Sequence, residues 1–218
     1  MPEQVGLFET MYSCRAMRRL QPDPVPEDQL LRLVDAANQA PSGRNFQRAR
    51  WIIVRDDQQK QRIAELNRRA SEDAAREQAE HAEPLPHHDV DRRRRMWAAV
   101  LWQSEHMHEA PAIIVACAVL DHPGEDPNRY ARSIWPGIQN LLLAARATGL
   151  GAVPTTYALR FRDELHGVLG LPDGVAAQAI IPIGFPIGNF GPVTRRPVNE
   201  ITMFDRWDGP HPAAHHHP

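Results

Sequence analysis

Apolar residues in this chain follow two rhythms. In some stretches they recur at helical spacing; in others they run almost unbroken for a few residues between turn signals. The clearest helical stretch holds Leu30, Leu31, Leu33, Val34, Ala37 and Ala40, which predicts a helix with a broad buried face. It opens at Pro26-Glu27-Asp28, where proline suits a first turn and acids complement the dipole. Pro41-Ser42-Gly43 ends it. A shorter helix is predicted over residues 3–13, with Val5, Leu7, Phe8 and Met11 as its apolar side. Gln21 to Pro26 is extended punctuation between the two, because proline disfavours helix in the residue before it. Residues 58–81 and 90–107 read as two charged, thinly apolar helices broken at Glu83-Pro84-Leu85-Pro86. Such helices belong on the surface of a core, not inside it. A central helix ends at Thr148, with Ile134, Ile138, Leu141, Leu142 and Ala145 on its buried face. Pro136 is expected in or near its first turns, and Gly149 at its left-handed cap. A last short helix covers 161–169.

The unbroken runs are Trp51–Val54, Pro111–Leu120 and Ala179–Phe185. Length and β-branching make them strands, the second covered on both faces. Ala152 to Thr156 is a short strand or edge. Pro182 cannot donate to a ladder, so its position is expected at an edge or a bulge. The resulting order is that of an α+β protein. No G-x-G-x-x-G follows a strand, which disfavours a dinucleotide-fingerprint enzyme. Ile201, Met203, Phe204 and Trp207 lie beyond any core element and suggest an arm that packs on something. Residues 208–218 are rich in Pro and His and are expected to be disordered.

Composition narrows the function. The chain has 218 residues, enough for one domain with its own core. Net charge is −2 with both signs interspersed, so a general nucleic-acid binder is not indicated. No apolar run approaches the roughly 20 residues of a membrane span, and the first residues lack a signal-peptide pattern. The two cysteines, Cys14 and Cys117, show no metal or redox-pair spacing. A cytoplasmic protein is expected, with no nucleic-acid or membrane partner.

Candidate chemistry centres on arginine. Arg15, Arg18 and Arg19 fall within five residues, and Arg195-Arg196 lies far downstream in a Pro/Gly-rich stretch. Guanidinium forks suit phosphate, although a solvated basic face reads the same way locally. Two loops of small and polar residues, Ala40–Gln47 and Gly149–Thr156, come between. Arg92–Arg95 wrap a helix and are most simply a solvated face, with a patch for NADPH phosphates as the alternative. No H-E-x-x-H occurs among the eleven histidines, which include His81, His87, His88, His106, His108 and four in the tail. His106 and His108 would face apart on a helix, so no metal site is expected. No Ser-His-Asp or Cys-His hydrolase pattern is present.

Four stretches in order resemble the FMN-dependent nitroreductase family: Arg15–Leu20 for its R-S-x-R-x-[FY] motif, Ala40–Gln47 for A-P-S-x-x-N-x-Q, Gln139–Gly151 for its Q-N-L-L-L-A-A helix, and Gly184-Phe185-Pro186 with Arg195–Ile201 for its closing motif. The likeness runs from about residue 8 to 207. It departs at Ala16, where serine is common, at Cys14, where a further arginine is frequent, and at Arg48, where proline is usual. The resemblance implies one domain over 1–207: a three-layer fold with a small central mixed sheet flanked by helices. The helices of 58–108 would cover the pocket, and the C-terminal arm would pack on the partner subunit of a homodimer with flavin near the interface. It implies FMN bound by Arg15, Ala16, Met17, Arg18, Arg19, Pro41, Ser42, Asn45, Gln47, Pro154, Thr155, Thr156 and Arg195. Met96, Trp97 and Trp102 are expected to line the pocket for a small-molecule acceptor; as plain core residues they would look no different. NAD(P)H is the implied co-substrate and hydride passes through flavin N5, so no side-chain acid or base is singled out. Reductive dehalogenation or flavin-dependent dehydrogenation is an alternative on the same fold, as is a non-enzymatic flavin-binding module.

Overall fold

The computed structural model describes residues 5–81 and 89–213, without the side chains of residues 78–81 and 92. The break at Glu83–Pro86, His87, His88 and residues 214–218 lie outside the described residues, as do the side chains of His81 and Arg92.

Strand β1 (Ala49–Val54), β2 (Ala112–Val119), β3 (Gly151–Ala152) and β4 (Val175–Gly184) form one sheet in the order β1-β2-β4-β3. Side chains alternate across a strand, and here both alternating sets are apolar. Ala112, Ile114, Ala116 and Ala118 join one core cluster; Ile113, Val115 and Cys117 join the other. Each face therefore needs a helical layer. Helices α2 (Glu27–Asn38) and α5 (Ala131–Ala147) supply one through Leu30, Leu33, Ile134, Ile138 and Leu141. Helices α3 (Asp57–His81) and α6 (Arg162–Leu169) supply the other through Ile63, Leu66 and Leu165. Helix α4 (Val90–His106) packs on α3. This is the expected three-layer α+β arrangement.

Several expectations change in detail. All three pairings are antiparallel, so the sheet is not mixed. β2 and β3 do run the same way, but β4 is inserted between them. Pro182 lies in that interior strand, paired with Ile113, and not at an edge. Ile180 exchanges both backbone bonds with Thr155, so by alternation Pro182 turns its nitrogen to the same side. There it faces the interruption after Ala152, where no ladder bond is lost. The bulge occurs instead between Ala116 and Cys117, opposite Gln178, whose side chain donates to the Pro127 carbonyl at 2.9 Å. The N-terminal half of α3 is core and not a surface layer: Ile63, Ala64, Leu66 and Ala70 are buried. α5 starts at Ala131, so Pro136 sits inside it. Gly149 takes φ 81°, and Leu150 N–H closes the cap on Ala145 O at 2.8 Å.

Apolar residues near both ends of the chain stay exposed among the described residues. Helix α1 (Leu7–Ser13) buries only Thr10; Leu7, Phe8, Met11 and Tyr12 are exposed. The arm, with its short helix α7 (Val198–Ile201), exposes Ile201, Phe204 and Trp207. Residues 208–213, expected to be disordered, form a turn in which Phe204 N–H donates to Pro210 O at 3.0 Å.

Candidate functional site

The two arginine-bearing ends of the chain lie side by side. Leu20 bridges Pro186, Ile187 N–H donates to Arg19 O at 2.9 Å, and Val193 N–H donates to Tyr12 O at 2.8 Å. The N-terminal segment is also fixed to the sheet: Met17 N–H donates to Ala152 O at 3.3 Å, and Met17 and Leu20 are buried. A side chain at Gly151 would meet Leu20 Cδ2 at 2.8 Å and Met17 Cβ at 2.9 Å, so only glycine admits this approach. Arg195 thereby comes close enough to act electrostatically on Cys14. Burial pushes that thiol up, against the opposing pull of Arg146 and Arg195.

Arg15, Ala16 and Arg18 line an open cavity of about 510 Å³ whose far wall is α4, with Asp89, Arg93, Arg95, Met96 and Ala99. Arg18 also lines a second cavity of about 220 Å³, with Asn67, Gln103 and Ser104 on one side and Pro154, Thr155 and Thr156 on the other. Hydroxyls and carboxamides organise this second wall. Thr155 Oγ1 donates to Asn67 Oδ1 at 2.9 Å, Asn67 Nδ2 donates to Ser104 Oγ at 3.5 Å, and Ser104 and Ser71 Oγ are 2.6 Å apart. The buried Gln103 Nε2 has no hydrogen-bond partner among the described residues. Burial lowers the Arg18 pKa, partly offset by Tyr157.

Several arginines here are neutralised by carboxylates. Arg68 pairs with Glu65 and Glu72, Arg69 with Glu164, and Arg160 with Glu77. Among the described residues Arg15, Arg18, Arg19 and Arg195 have no carboxylate in ion-pair range. Arg19 lies instead over Trp102, 5.6 Å from its ring centroid. Trp102 in turn stacks on His106 at 4.3 Å, whose Nδ1 is 2.9 Å from Glu109. Of the three expected pocket residues, Met96 lines the larger cavity and Trp102 supports Arg19. Trp97 is half-buried on α4 and lines neither cavity.

The loop Pro41–Gln47 is elsewhere. It precedes β1 at the opposite edge of the sheet from β3, at least three strand spacings or about 14 Å away. It also sits at the other strand end: Ala49 pairs with Ala118, whereas Gly151 pairs with Gly184. Within one chain the structure does not bring Pro41, Ser42, Asn45 and Gln47 to the arginines. The loop is nevertheless built with care. Arg44, Asn45 and Gln47 have φ of 52°, 55° and 49°, a left-handed conformation that costs roughly 1–2 kcal/mol per residue. Ser42 Oγ holds it by accepting from Gln47 N–H at 3.1 Å; Gln47 Nε2 donates to Asn45 Oδ1 at 3.2 Å. Strain of this kind collects at functional sites. Ser42, Arg44 and Gln47 line a cavity of about 270 Å³. Arg48 is committed to Asp121 and packs over Phe46 and Tyr130.

Asn67, Gln103 and Ser104 were not singled out by sequence. Their signal was polar residues inside apolar stripes: Asn67 and Ser71 stand on the face of α3 that carries Ile63, Leu66 and Ala70. Among the described residues no cluster of three or more His, Cys, Asp or Glu could hold a metal. No helix among them is long and apolar enough to cross a membrane.

Comparison with known proteins gives the family and the fold. The model of the nitroreductase family matches residues 12–185. The chain belongs to the nitroreductase family. It is 28% identical over 201 residues to the iodotyrosine deiodinase of Thermotoga neapolitana, covering 90% of this chain and 96% of that protein. It is 29% identical over 224 residues to an NADH dehydrogenase of Thermus thermophilus, covering 87% and 91%. Its fold matches an iodotyrosine deiodinase solved with FMN and 3-iodo-L-tyrosine, at a TM-score of 0.71 and 22% identity over 93% of this chain and 99% of that one. The family is one of oxidoreductases.

Proposed function

We propose that this nitroreductase-family chain is an FMN-dependent oxidoreductase that takes hydride from NAD(P)H and delivers it to an electron-poor small molecule, a nitroaromatic or quinone, by a ping-pong mechanism. The observation that carries the reading is Arg18: a partly buried guanidinium without a counter-charge among the described residues, set between two cavities. A site of this kind fits an acceptor-rich, anionic ligand, and FMN is one. Arg15, Arg19 and Arg195 would hold its phosphate by charge-assisted bonds, with Ala16 and Met17 contributing backbone. Arg18 and the unpartnered Gln103 amide would meet the polar rim of the ring system. Pro154, Thr155 and Thr156, fixed by Asn67, would present backbone to the same ring. FMN, when bound, supplies the redox chemistry at N5. The chain's own part is to bind, orient and exclude water.

The separation of the Pro41–Gln47 loop from the arginines makes a homodimer part of the reading. Ser42, Asn45 and Gln47 reach the same cofactor only from a second copy. The uncovered Leu7, Phe8 and Met11 of α1, with Ile201, Phe204 and Trp207 of the arm, offer apolar surface for that contact.

Deiodinases among the relatives favour a second reading, reductive dehalogenation of a halophenol on the same site. The test is the visible spectrum of purified protein, followed by anaerobic NAD(P)H and a panel of nitroaromatics, quinones and halophenols. Flavin bands that bleach and are reoxidised by a nitroaromatic or quinone support the first reading; reoxidation by halophenols alone supports the second. A colourless protein that takes up no FMN sinks both.

A further inference from the structure

We infer that the larger cavity holds a second phosphate, the 2′-phosphate of NADPH, and that Arg93 and Arg95 make this enzyme select NADPH over NADH. The inference rests on the FMN reading above. Four guanidiniums, Arg15, Arg18, Arg93 and Arg95, line the cavity against one carboxylate, Asp89. On that reading the flavin phosphate would be met from the N-terminal side, whereas Arg93 and Arg95 stand on the opposite wall.

Helix geometry separates these two from their neighbour. At 100° per residue, Arg93 and Arg95 flank the line of Met96 and Ala99 that faces the N-terminal segment, and their long stems reach over the cavity. Arg94 points elsewhere and pairs with Asp91 at 3.2 Å. The arginine run is therefore not a uniform solvated face. Met96 and Ala99 add apolar surface against which a ribose or adenine can lie. NADPH and NADH differ there by one phosphomonoester, a group carrying about −1.5 to −2 charges at neutral pH, and arginine is the side chain that reads it by paired hydrogen bonds.

The experiment uses the FMN-loaded full chain and calorimetric titration with adenosine 2′,5′-bisphosphate, adenosine 3′,5′-bisphosphate and adenosine 5′-monophosphate. Charge-assisted bonds of the usual strength predict that the 2′,5′-bisphosphate binds at least about tenfold tighter than the monophosphate. R93A/R95A brings the two within about twofold at unchanged FMN content, and R94A keeps the preference. KM for NADPH rises in R93A/R95A while KM for NADH does not. Equal binding of mono- and bisphosphate, equal binding of the 2′,5′ and 3′,5′ isomers, or a preference that survives R93A/R95A each overturns the inference. A protein that takes up no FMN fails the functional reading first; one that binds FMN without discriminating fails only this step.

Discussion

Arg18→Met separates a ligand-binding arginine from a structural one by the sign of its effect on stability. Burial lowers the Arg18 pKa, which means the folded state disfavours its charged form. Because the folded value lies below the unfolded one for a base, the charge costs stability at every pH where both states are protonated. That covers the whole working range, so the cost is flat from about pH 5 to 9. Nothing is lost in exchange: the guanidinium has no hydrogen bond or ion pair among the described residues. Methionine keeps much of the stem volume without the charge. Relief of an unpaired, partly buried charge is worth on the order of 1 kcal/mol after allowance for solvent screening, or about 2–4 °C in a chain of this length. FMN binding moves the other way. One charge-assisted contact is worth about 1.5–3 kcal/mol, so Kd rises roughly 10- to 150-fold. The assay is a thermal melt of the FMN-free variant and wild type, with FMN titrated by flavin fluorescence. A variant that melts lower without FMN would show Arg18 to be structural. One that binds FMN as the wild type does would remove it from the site.

Glycine substitutions separate the fold from the site in a second way. Gly151→Val forces Met17 and Leu20 off the β3 edge; overpacking of about 1–3 kcal/mol lowers the melting temperature and weakens FMN binding together. Gly149→Ala strains a cap with φ 81° and open space around it, so it lowers the melting temperature alone; a matching loss of FMN affinity would contradict the placement. Thr155→Val leaves the buried Asn67 Oδ1 without its donor, a loss of about 1–3 kcal/mol, and Thr155→Val with Asn67→Leu regains part of it. Denaturant midpoints that fail to improve in the double variant refute the pairing. Tyr130 hydrogen-bonds the Glu125 carboxylate and, with help from Arg129, holds it below its ordinary value of 4.5. For a depressed acid the stabilisation is present above that value and is lost as pH falls through the folded one. Wild type therefore loses stability more steeply than Tyr130→Phe below about pH 4.5, and parallel melting curves from pH 3 to 7 would count against the linkage.

Much of this protein was legible along the chain, because periodicity reports burial directly. Length and β-branching favoured Pro111–Leu120 as a strand covered on both faces, and β2 (Ala112–Val119) is that strand. The stripe through Ile134, Ile138 and Leu141 read as a buried helix, with Gly149 fitting its cap. These are local facts: a residue's neighbours at i+2 or i+4 decide them. Arginines at both ends of the chain were visible too, as was the likeness that suggested their use. What lay beyond reach depended on partners distant in sequence. Pro182 reads as an edge residue until the gap in β3 is seen beside it. A mixed sheet with β2 beside β3 is as compatible with the pattern as the all-antiparallel one, since only the insertion of β4 between them decides. The neutralised arginines and the others look alike along the chain; Arg69 is paired because Glu164 meets it across α3 and α6, whereas no carboxylate among the described residues comes within ion-pair range of Arg18. Asn67 looked like an ordinary polar residue on a charged helix until Thr155 came to rest against it. The sequence by itself determined which residues must be buried and in which elements, because that follows from apolar spacing. Only the tertiary structure decided which charges meet a carboxylate among the described residues and which do not, because electrostatic pairing depends on distance in space and not on order in the chain.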